Sequence, residues 1–513
     1  MAIIEFSANP SCLPKRPRSS PPLGRDETRN SVDYISQLPD AIILHIFSFL
    51  TTKDAIGTSV LSKRWCSTWT ANPHISFSMP GRHHRHSSMM LERFMAFMDA
   101  VLLRCTAIKV KSFIFAVDRG LDSAVAPTID RWLDFAVGHD LEEVTPRKDS
   151  IYALSQFFFR CTTLVSSHLS RCCFSKIATV NWSSLKRLHI GHAELEDDTM
   201  MQVLRGSPAL EFLHLDYCVG FNRIIVESRC LRELVIDCHG FHRAQVPILK
   251  ISAPHLLKLR LLGDYCETDF EGQLGEYKLD EVSSLVEAEL NFEIQIFEND
   301  KAKVCVDIVK GLLERPHHVT TLVIGSWCLR VLSIMEAREV FLPSLECRHL
   351  MFHVAADHFG VHSIVKILES SLRLEKLFLQ MTCTPGSEYP FFAENVRRRN
   401  FDAKELQNSA KQRRIYRCLM HLKDVEIVDP GANWLAWEPV LSLLKFLLQN
   451  ARWLDKIKIN SNNSRLSERL EPWGLLEVAR MILSDPNRSP NLKVILSYPS
   501  RGCPSESLHL QAF

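Results

Sequence analysis

The stretch Leu185-Lys186-Arg187-Leu188-His189-Ile190 follows the pattern apolar-x-x-apolar-x-apolar. Its last three residues alternate between apolar and polar, which is the period of a strand with one buried face. A single match of this length carries little weight, but the pattern recurs, often at steps of 21 to 34 residues. The other copies begin at Val110, Leu210, Leu231, Leu256, Leu285, Val319, Cys347, Leu374, Leu422 and Leu454, with weaker copies at Leu141, Leu164 and Leu492. The series predicts a row of equivalent strands.

Helical stretches lie between these strands. They cover Asp198 to Arg205, Val304 to Glu314 and His362 to Ser370. A repeat of one strand and one helix cannot bury its own apolar face, whereas stacked repeats share a continuous core. The sequence therefore predicts the α/β class and an irregular leucine-rich-repeat solenoid at residues 106–415. Such a solenoid is a curved parallel sheet with helices on its convex side.

A different pattern occupies residues 34–79, where it predicts three short helices. Leu38-Pro39-Asp40 is a helix start, because proline tolerates the first helical position and aspartate suits the positive end of the helix dipole. Thr52 and Ser62 are predicted to cap the second and third helices, and Pro73 closes the unit. The first helix places four apolar residues on one face, namely Ile42, Ile46, Phe49 and Leu50. About forty residues form only a small core, so we expect this unit to depend on a partner.

Composition and charge argue against several classes of protein. The 513 residues include 61 Lys+Arg and 59 Asp+Glu, without the basic excess that is typical of nucleic-acid binding. No apolar run approaches the ~20 residues that span a bilayer, and Met1 to Pro10 lack the features of a secretory signal. The 16 cysteines include no Cys-x-x-Cys pair. We therefore predict buried thiols in a reducing compartment, and no nucleic-acid or membrane partner.

The motifs of common catalytic sites are absent from the sequence. The run Gly81-Arg82-His83-His84-Arg85-His86 has no Cys, Asp or Glu at metal-ligand spacing and is predicted to be a solvated linker. His189 and His214, which stand alone in their strands, are interpreted as surface residues of the sheet. Gly-x-Ser-x-Gly, Walker-type loops and His-Glu-x-x-His do not occur. We expect a non-catalytic protein without catalytic, cofactor-binding or metal-binding residues.

The segments outside the two main units are predicted as follows. Residues 1–33, rich in proline, serine and basic residues, are expected to be disordered, and Lys15-Arg16-Pro17-Arg18 is a candidate nuclear-import signal. We therefore expect the nucleus, the cytoplasm or both. Residues 80–105 are a linker and helix, and 500–513 are a tail. The charged segment 385–417 is predicted to be a surface insertion, with a contact loop for an acidic partner as the alternative.

Two stretches carry a family resemblance. Leu38-Pro39-Asp40 through Ser59-Val60-Leu61-Ser62-Lys63-Arg64-Trp65 resembles the F-box of plant F-box proteins with leucine-rich repeats. Residues 416–499, with His421 to Ile427 and Leu444 to Ala451 as their marks, are similar to the FBD region of the same family. Thr51 and Gly57 depart from the F-box pattern, because the family often has proline at the first position and a larger, often basic residue at the second.

The resemblance implies a substrate-recognition subunit of an SCF-type E3 ubiquitin ligase. Its F-box would bind a Skp1-type adaptor, and through it cullin and RING subunits, while the repeats would bind a target protein. Polar residues between the apolar strand positions, such as Arg187, His189 and His214, would face that target. The adaptor contact is expected to use Leu38, Pro39, Ile42, Ile46, Leu50, Val60, Leu61 and Trp65. Some of these residues, Trp65 and Ile46 above all, are alternatively core residues of the F-box.

Two other functions are compatible with the same architecture. One is a non-degradative binding scaffold, whose F-box no longer engages a ligase because Gly57 and the segment Cys66-Ser67-Thr68 weaken its second and third helices. The other is a small-molecule receptor with a pocket in the repeats. Binding of a Skp1-type adaptor separates the first from a ligase subunit, and a ligand screen by thermal shift tests the second.

Overall fold

A computed structural model describes residues 34–35, 37–78, 87–117, 126–148, 152–174, 179–220, 223–238, 248–266, 277–295, 302–314, 318–337, 342, 344–355, 361–382, 415, 417–429, 437–461, 472–500 and 503–511. The predictions for residues 1–33, for the Lys15–Arg18 signal and for the histidine run ending at His86 lie outside these residues. So does most of the charged segment 385–417.

The described residues contain 21 strands. In chain order these are β1 His74–Ser78, β2 Ser112–Val117, β3 Glu143–Lys148, β4 Tyr152–Ala153, β5 Ser166–Ser170, β6 Cys172–Cys173, β7 Arg187–Gly191, β8 Phe212–Asp216, β9 Arg223–Glu227, β10 Glu233–Cys238, β11 Ile248–Ser252, β12 Lys258–Cys266, β13 Tyr277–Asp280, β14 Glu287–Gln295, β15 Thr321–Ile324, β16 His349–Ala355, β17 Lys376–Thr382, β18 Asp424–Asp429, β19 Lys456–Ser461, β20 Lys493–Ser500 and β21 Cys503–Gln511.

Sixteen of these strands form one sheet, in the order β1-β2-β3-β5-β7-β8-β10-β12-β14-β15-β16-β17-β18-β19-β20-β21. The order follows the chain, and the pairs are parallel except for the last, β20 with β21, which is antiparallel. This is the arrangement of a solenoid, in which each repeat adds one strand beside the previous one. The predicted fold class is confirmed, and every strand motif, including the weak copies at Leu141, Leu164 and Leu492, leads into a strand.

The core lies on one side of this sheet. Leu188 and Ile190 of β7 are in register with Leu213 and Leu215 of β8, and all four side chains are buried. Equivalent pairs continue from strand to strand in one core that extends from β1 to β20. The residues that alternate with them point to the other side, which the described helices do not cover and which we call the open face.

A second layer covers the core. The helices of the described residues are α1 Asp40–Phe47, α2 Thr52–Gly57, α3 Trp65–Thr68, α4 Ser87–Arg104, α5 Ala126–Gly138, α6 Asp197–Gly206, α7 Ala302–Glu314, α8 Ser326–Ala337, α9 Val361–Ser370, α10 Trp437–Asn450 and α11 Pro472–Ser484. Helices α6, α7 and α9 confirm the three predicted helical stretches. None of the helices in this part of the chain is both long and apolar enough to cross a membrane.

Three successive repeats in the middle of the chain replace helices with strands. β9, β11 and β13 form a separate parallel sheet of three strands. Ile224 and Val226 of β9 and Leu249 and Ile251 of β11 alternate with partly exposed residues and are buried in the same core. In these repeats short strands, with alternating buried residues, cover the core in place of helices. The sequence pattern predicted helices throughout this second layer, and the strands were not anticipated.

The sheet begins earlier than predicted. Pro73 was expected to close the N-terminal unit, but the residues directly after it form β1, which pairs with β2. Ile75 and Phe77 of β1 are buried in the solenoid core, while His74 and Ser76 between them are only partly buried. The alternation in His74 to Ser78 is that of a strand. The helical unit and the solenoid are therefore continuous through β1.

Buried cysteine thiols lie three residues after the last buried residue of two strands of the sheet. Cys218 follows β8, and its thiol donates a hydrogen bond to the Ile190 carbonyl of β7, with 3.3 Å between sulfur and oxygen. Cys172 is buried in the equivalent place after β5. The spacing Leu-x-Leu-x-x-Cys at 213–218 is a known form of the leucine-rich-repeat motif. The cysteines of the described residues are free thiols. Seven of them are buried, as predicted, whereas Cys66 and Cys230 are exposed and Cys105 and Cys173 are partly exposed.

Candidate partner-binding surfaces

The N-terminal unit has a core of four residues. Ile43 and Phe47 of α1 pack with Ala55 of α2 and Trp65 of α3. The rings of Phe47 and Trp65 meet edge to face, with centroids 5.5 Å apart. The indole Nε1–H of Trp65 donates a hydrogen bond of 3.2 Å to the backbone carbonyl of Ile35. Trp65 thus joins the last helix to the segment that precedes the first.

Three further contacts fix the short helices. The Arg64 guanidinium forms an ion pair of 2.6 Å with the Asp40 carboxylate at the start of α1. Thr51 caps α2, because its hydroxyl accepts a hydrogen bond of 3.2 Å from the Asp54 backbone N–H. The prediction that Thr52 caps this helix was wrong by one residue. The Ser62 hydroxyl accepts a hydrogen bond of 3.4 Å from the Trp65 N–H, but the residue directly before α3 is Arg64, not Ser62 as predicted.

Large apolar side chains are exposed on this unit. We call them the exposed strip, and they are Tyr34, Ile35, Ile42, Phe49, Val60 and Leu61. Val60 is 88% exposed and Phe49 76%. Exposed apolar residues that stand alone are ordinary, but six within 28 residues of a unit with a four-residue core are a sign of a partner.

The predicted adaptor contacts fall into three groups. Pro39, Ile42, Val60 and Leu61 are exposed. Leu38, Ile46 and Leu50 are partly exposed and also pack against the four-residue core. Trp65 is only 3% exposed. Trp65 is therefore a core residue, the alternative role stated above, and not a contact residue, because its ring packs with residues of α1 and α2.

The sequence pattern missed the core of α1 and part of the exposed strip. The apolar face predicted for the first helix comprised Ile42, Ile46, Phe49 and Leu50, whereas the buried residues of α1 are Ile43 and Phe47. Nearly every residue of Ala41 to Phe47 is apolar, so periodicity could not separate the two faces of this helix. Phe49 lies beyond the end of α1 and is exposed for that reason.

Gly57 is the last residue of α2 and does not interrupt its interior. A Cβ atom placed on it would meet nothing within 4 Å. Glycine destabilises a helix less at its end than in its interior, so Gly57 lowers the stability of α2 only slightly. The predicted weakening of α2 at this position is correspondingly limited.

The helical unit is fastened to the sheet. The Ser76 N–H of β1 donates a hydrogen bond of 2.9 Å to the Thr52 hydroxyl of α2. The Thr106 N–H donates one of 2.7 Å to the Thr70 carbonyl. Ile56 and Trp69 pack against the solenoid core. These contacts give the exposed strip a defined position relative to the first strands.

Charged side chains of opposite sign match across the open face in several places. Arg260 of β12 and Glu289 of β14 form an ion pair of 2.6 Å, and Lys258 and Glu287 on the same strands form one of 3.2 Å. Farther along, Lys458 of β19 pairs with Glu426 of β18 at 3.1 Å. Opposite charges on neighbouring strands stabilise the sheet modestly and leave little net charge there. The described residues contain no group of three or more His, Cys, Asp or Glu side chains able to hold a metal ion.

The architecture thus defines a class: a small helical unit with exposed apolar side chains, joined to a solenoid of parallel strands with an open face. An F-box domain model matches residues 35–75. A model described as the At1g61320/AtMIF1 LRR domain matches residues 101–469. Neither is an enzyme family. The chain belongs to the F-box/LRR-repeat family of plant proteins.

Individual relatives support this assignment. Putative F-box/LRR-repeat protein At3g18150 of Arabidopsis thaliana is 32% identical over 361 residues, which cover 69% of this chain and 73% of the relative. Putative F-box/LRR-repeat protein At5g02930 of the same plant is 26% identical over 475 residues, covering 90% and 94%. The second similarity spans nearly the full length of both chains, so helical unit and repeats occur together in the relative as they do here.

Proposed function

We propose that the chain is the substrate-recognition subunit of an SCF-type E3 ubiquitin ligase. In this role the F-box binds a Skp1-type adaptor, which connects it to cullin and RING subunits, and the repeats bind a target protein. The observation that carries the proposal is the exposed strip on a unit whose own core has four residues. Membership of the F-box/LRR-repeat family supports the same role, because a ubiquitin-ligase role is typical of F-box proteins.

The contribution of this chain to ubiquitination is placement. The sixteen strands of the sheet, at ~4.8 Å spacing, extend roughly 70 Å, which is enough for a protein-sized ligand. A target bound there is held at high local concentration near the ubiquitin-charged enzyme, and this proximity accelerates transfer to its lysines. The hydrogen bond from Ser76 to Thr52 and the packing of Trp69 on the solenoid core make the connection short and firm.

The exposed strip supplies the anchors for the adaptor. Val60 and Leu61 lie in the turn between α2 and α3, and Ile42 lies on α1. Large apolar side chains in the centre of an interface usually carry most of its binding energy. Replacing Val60 with aspartate buries a charge in that interface but leaves the F-box core intact, since Val60 does not belong to it.

Proximity labelling in plant cells, with and without a proteasome inhibitor, tests the proposed function. The wild-type chain is expected to label a Skp1-type adaptor and cullin, and a set of proteins that accumulates only under inhibition. Val60→Asp is expected to lose the adaptor and cullin and to leave its bound targets stable without inhibitor. Phe157→Asp, on the solenoid at a residue 63% exposed, is the matched control and should behave as wild type. Equal labelling by all three chains would contradict the proposal.

The same experiment separates the alternatives. A binding scaffold without ligase function would keep its partners, show no adaptor and respond to neither inhibitor nor Val60→Asp. We also propose residence in the nucleus, the cytoplasm or both, which fractionation of the labelled cells tests directly. Labelled partners confined to the secretory pathway would contradict that proposal.

A further inference from the structure

Three histidines occupy the same position on three neighbouring strands of the open face. His168 on β5, His189 on β7 and His214 on β8 are in register. Their rings stack, with centroids 4.0 Å apart for the first pair and 4.2 Å apart for the second. We call these residues the histidine stack. It ends at β10, where the residue in register with His214 is Val235.

Two members of the histidine stack, His189 and His214, are uncharged at neutral pH. Burial, and then the neighbouring histidines, lower the pKa of His189 to about 3. Burial also lowers the pKa of His214. Three imidazolium rings at this spacing would repel one another, whereas neutral rings stack. The stack therefore offers aromatic surface and does not neutralise an acidic neighbour. His189 and His214 lie on the open face, as predicted, but their stacking with each other and with His168 was not anticipated.

Two carboxylates lie beside the histidine stack. Asp216 and Asp237 are in register on β8 and β10, two positions after His214 and Val235. On the other side of Asp216 the residue in register is Gly191, whose missing Cβ would stand 3.6 Å from the Asp216 carboxylate. Burial, and then the charge of Asp237, raise the pKa of Asp216. The Asp216 carboxylate is therefore an acidic group in a partly desolvated position, which a cation beside it would stabilise.

Asp216 differs from the matched carboxylates elsewhere on the open face. Its one ionic contact among the described residues is with His189, at 3.7 Å between Oδ2 and Nε2. Because His189 is neutral, this contact supplies no positive charge. Glu289, Glu287 and Glu426, by contrast, each pair with a lysine or arginine on the next strand. No lysine or arginine among the described residues pairs with the Asp216 carboxylate, so it is available to a cationic group of another molecule.

Aromatic rings border the same carboxylates. His192 and Tyr217 follow β7 and β8 directly, both with left-handed φ angles, 51° and 50°. Their rings stack with centroids 4.8 Å apart. At the opposite ends of these strands, the Arg187 guanidinium lies 4.4 Å from the centre of the Phe212 ring. The chain itself therefore shows a guanidinium stacked on a ring of this face.

We propose that the patch formed by Asp216, His214, His192 and Tyr217 binds an arginine side chain in an extended segment of the target protein. A guanidinium pairs with carboxylates in a planar, bidentate geometry and stacks on aromatic faces, and no other side chain does both. The Asp216 carboxylate repels a phosphorylated or acidic segment. This inference rests on the proposed function, in that it names the chemistry of the target held by the repeats.

A peptide-display selection tests the proposal. The full-length chain, carrying an affinity tag, is immobilised through the tag and offered a random 12-residue peptide library. The wild type is expected to enrich peptides with arginine, and their affinity should fall roughly tenfold to a hundredfold for Asp216→Asn, which keeps the shape and removes the charge. Asp424→Asn is the matched control, because Asp424 lies on the open face in an ion pair of 3.5 Å with Lys456. It should leave the selected peptides bound.

The outcomes are distinct. Arginine enrichment that is lost with Asp216→Asn supports the proposal. No enrichment, enrichment of acidic residues, lysine enriched as strongly as arginine, or equal loss with Asp424→Asn overturns it. Binding of a Skp1-type adaptor to the same immobilised chain is measured separately. Failure of the adaptor to bind would refute the proposed function. It would not affect the peptide selection, because the chain is immobilised through its tag and the selection does not require the adaptor.

Discussion

Replacing Trp65 with alanine should unfold the F-box while the solenoid stays folded. Trp65 is one of four core residues, it is 3% exposed, and its ring contacts Phe47 edge to face. Loss of a buried tryptophan side chain costs ~3–5 kcal/mol, and the lost hydrogen bond to Ile35 adds ~1 kcal/mol. A unit of about forty residues has only ~2–6 kcal/mol of stability by the usual average per residue. The loss is thus as large as the stability available.

Hydrogen exchange of the full-length chain, followed by mass spectrometry, measures this effect by region. Amides of α1 to α3 are expected to lose at least a hundredfold in protection, since ~3 kcal/mol corresponds to more than two factors of ten. Amides of β7 and β8 should keep theirs. Trp453→Ala is the matched control, because Trp453 is 65% exposed and its loss should change stability by less than ~0.5 kcal/mol. Full protection of α1 to α3 in Trp65→Ala would refute the assignment of Trp65 to the core.

Three further predictions follow from single residues. Burial lowers the pKa of His189 to about 3, so below about pH 6.5 the unfolded chain takes up a proton that the folded chain does not. The free energy of unfolding should therefore decrease as the pH is lowered from about 7 to about 5.5. His189→Gln should remove ~1 kcal/mol of this decrease, measured by urea unfolding at both pH values. Equal losses in both chains would contradict this. Gly206→Ala places a Cβ 2.5 Å from the Val180 carbonyl and should lower stability by ~1–3 kcal/mol in thermal unfolding, whereas Gly138→Ala, with nothing within 4 Å, should not lower it. Gly57→Ala, also in open space at the end of α2, should raise protection of that helix by up to ~0.5 kcal/mol in hydrogen exchange, and a decrease would refute the placement of Gly57.

The strands of the solenoid could be predicted because their signal is local and repeated. Leu188 and Ile190 alternate with polar residues in one strand, and the same alternation returns at Leu213 and Leu215. β1 was missed because Pro73 was interpreted as an end, although proline is also tolerated directly before a strand. The strands of the second layer were missed because segments such as β9 and β11 lie where the other repeats have helices.

The partner-binding surfaces could be predicted only in part. The sequence indicated that the F-box carries more apolar side chains than it can bury. It could not show that Ile43 is buried and Ile42 exposed, because consecutive residues of α1 are apolar. The packing of α3 against α1 determines which of these residues is buried and which is exposed. The histidine stack depends on register: His189 and His214 are 25 residues apart, and only the pairing of β7 with β8 brings their rings together.

Calorimetric titration of the full-length chain with a Skp1-type adaptor tests the central claim most directly. The wild type and Phe157→Asp are expected to bind with the same affinity. Val60→Asp and Leu61→Asp, which alter exposed residues and keep the F-box core, should each weaken binding by at least tenfold, or ~1.4 kcal/mol. No binding by a wild-type chain whose α1 to α3 are protected from hydrogen exchange, or equal binding by all four chains, would contradict the claim that the exposed strip is the adaptor site of a ligase subunit.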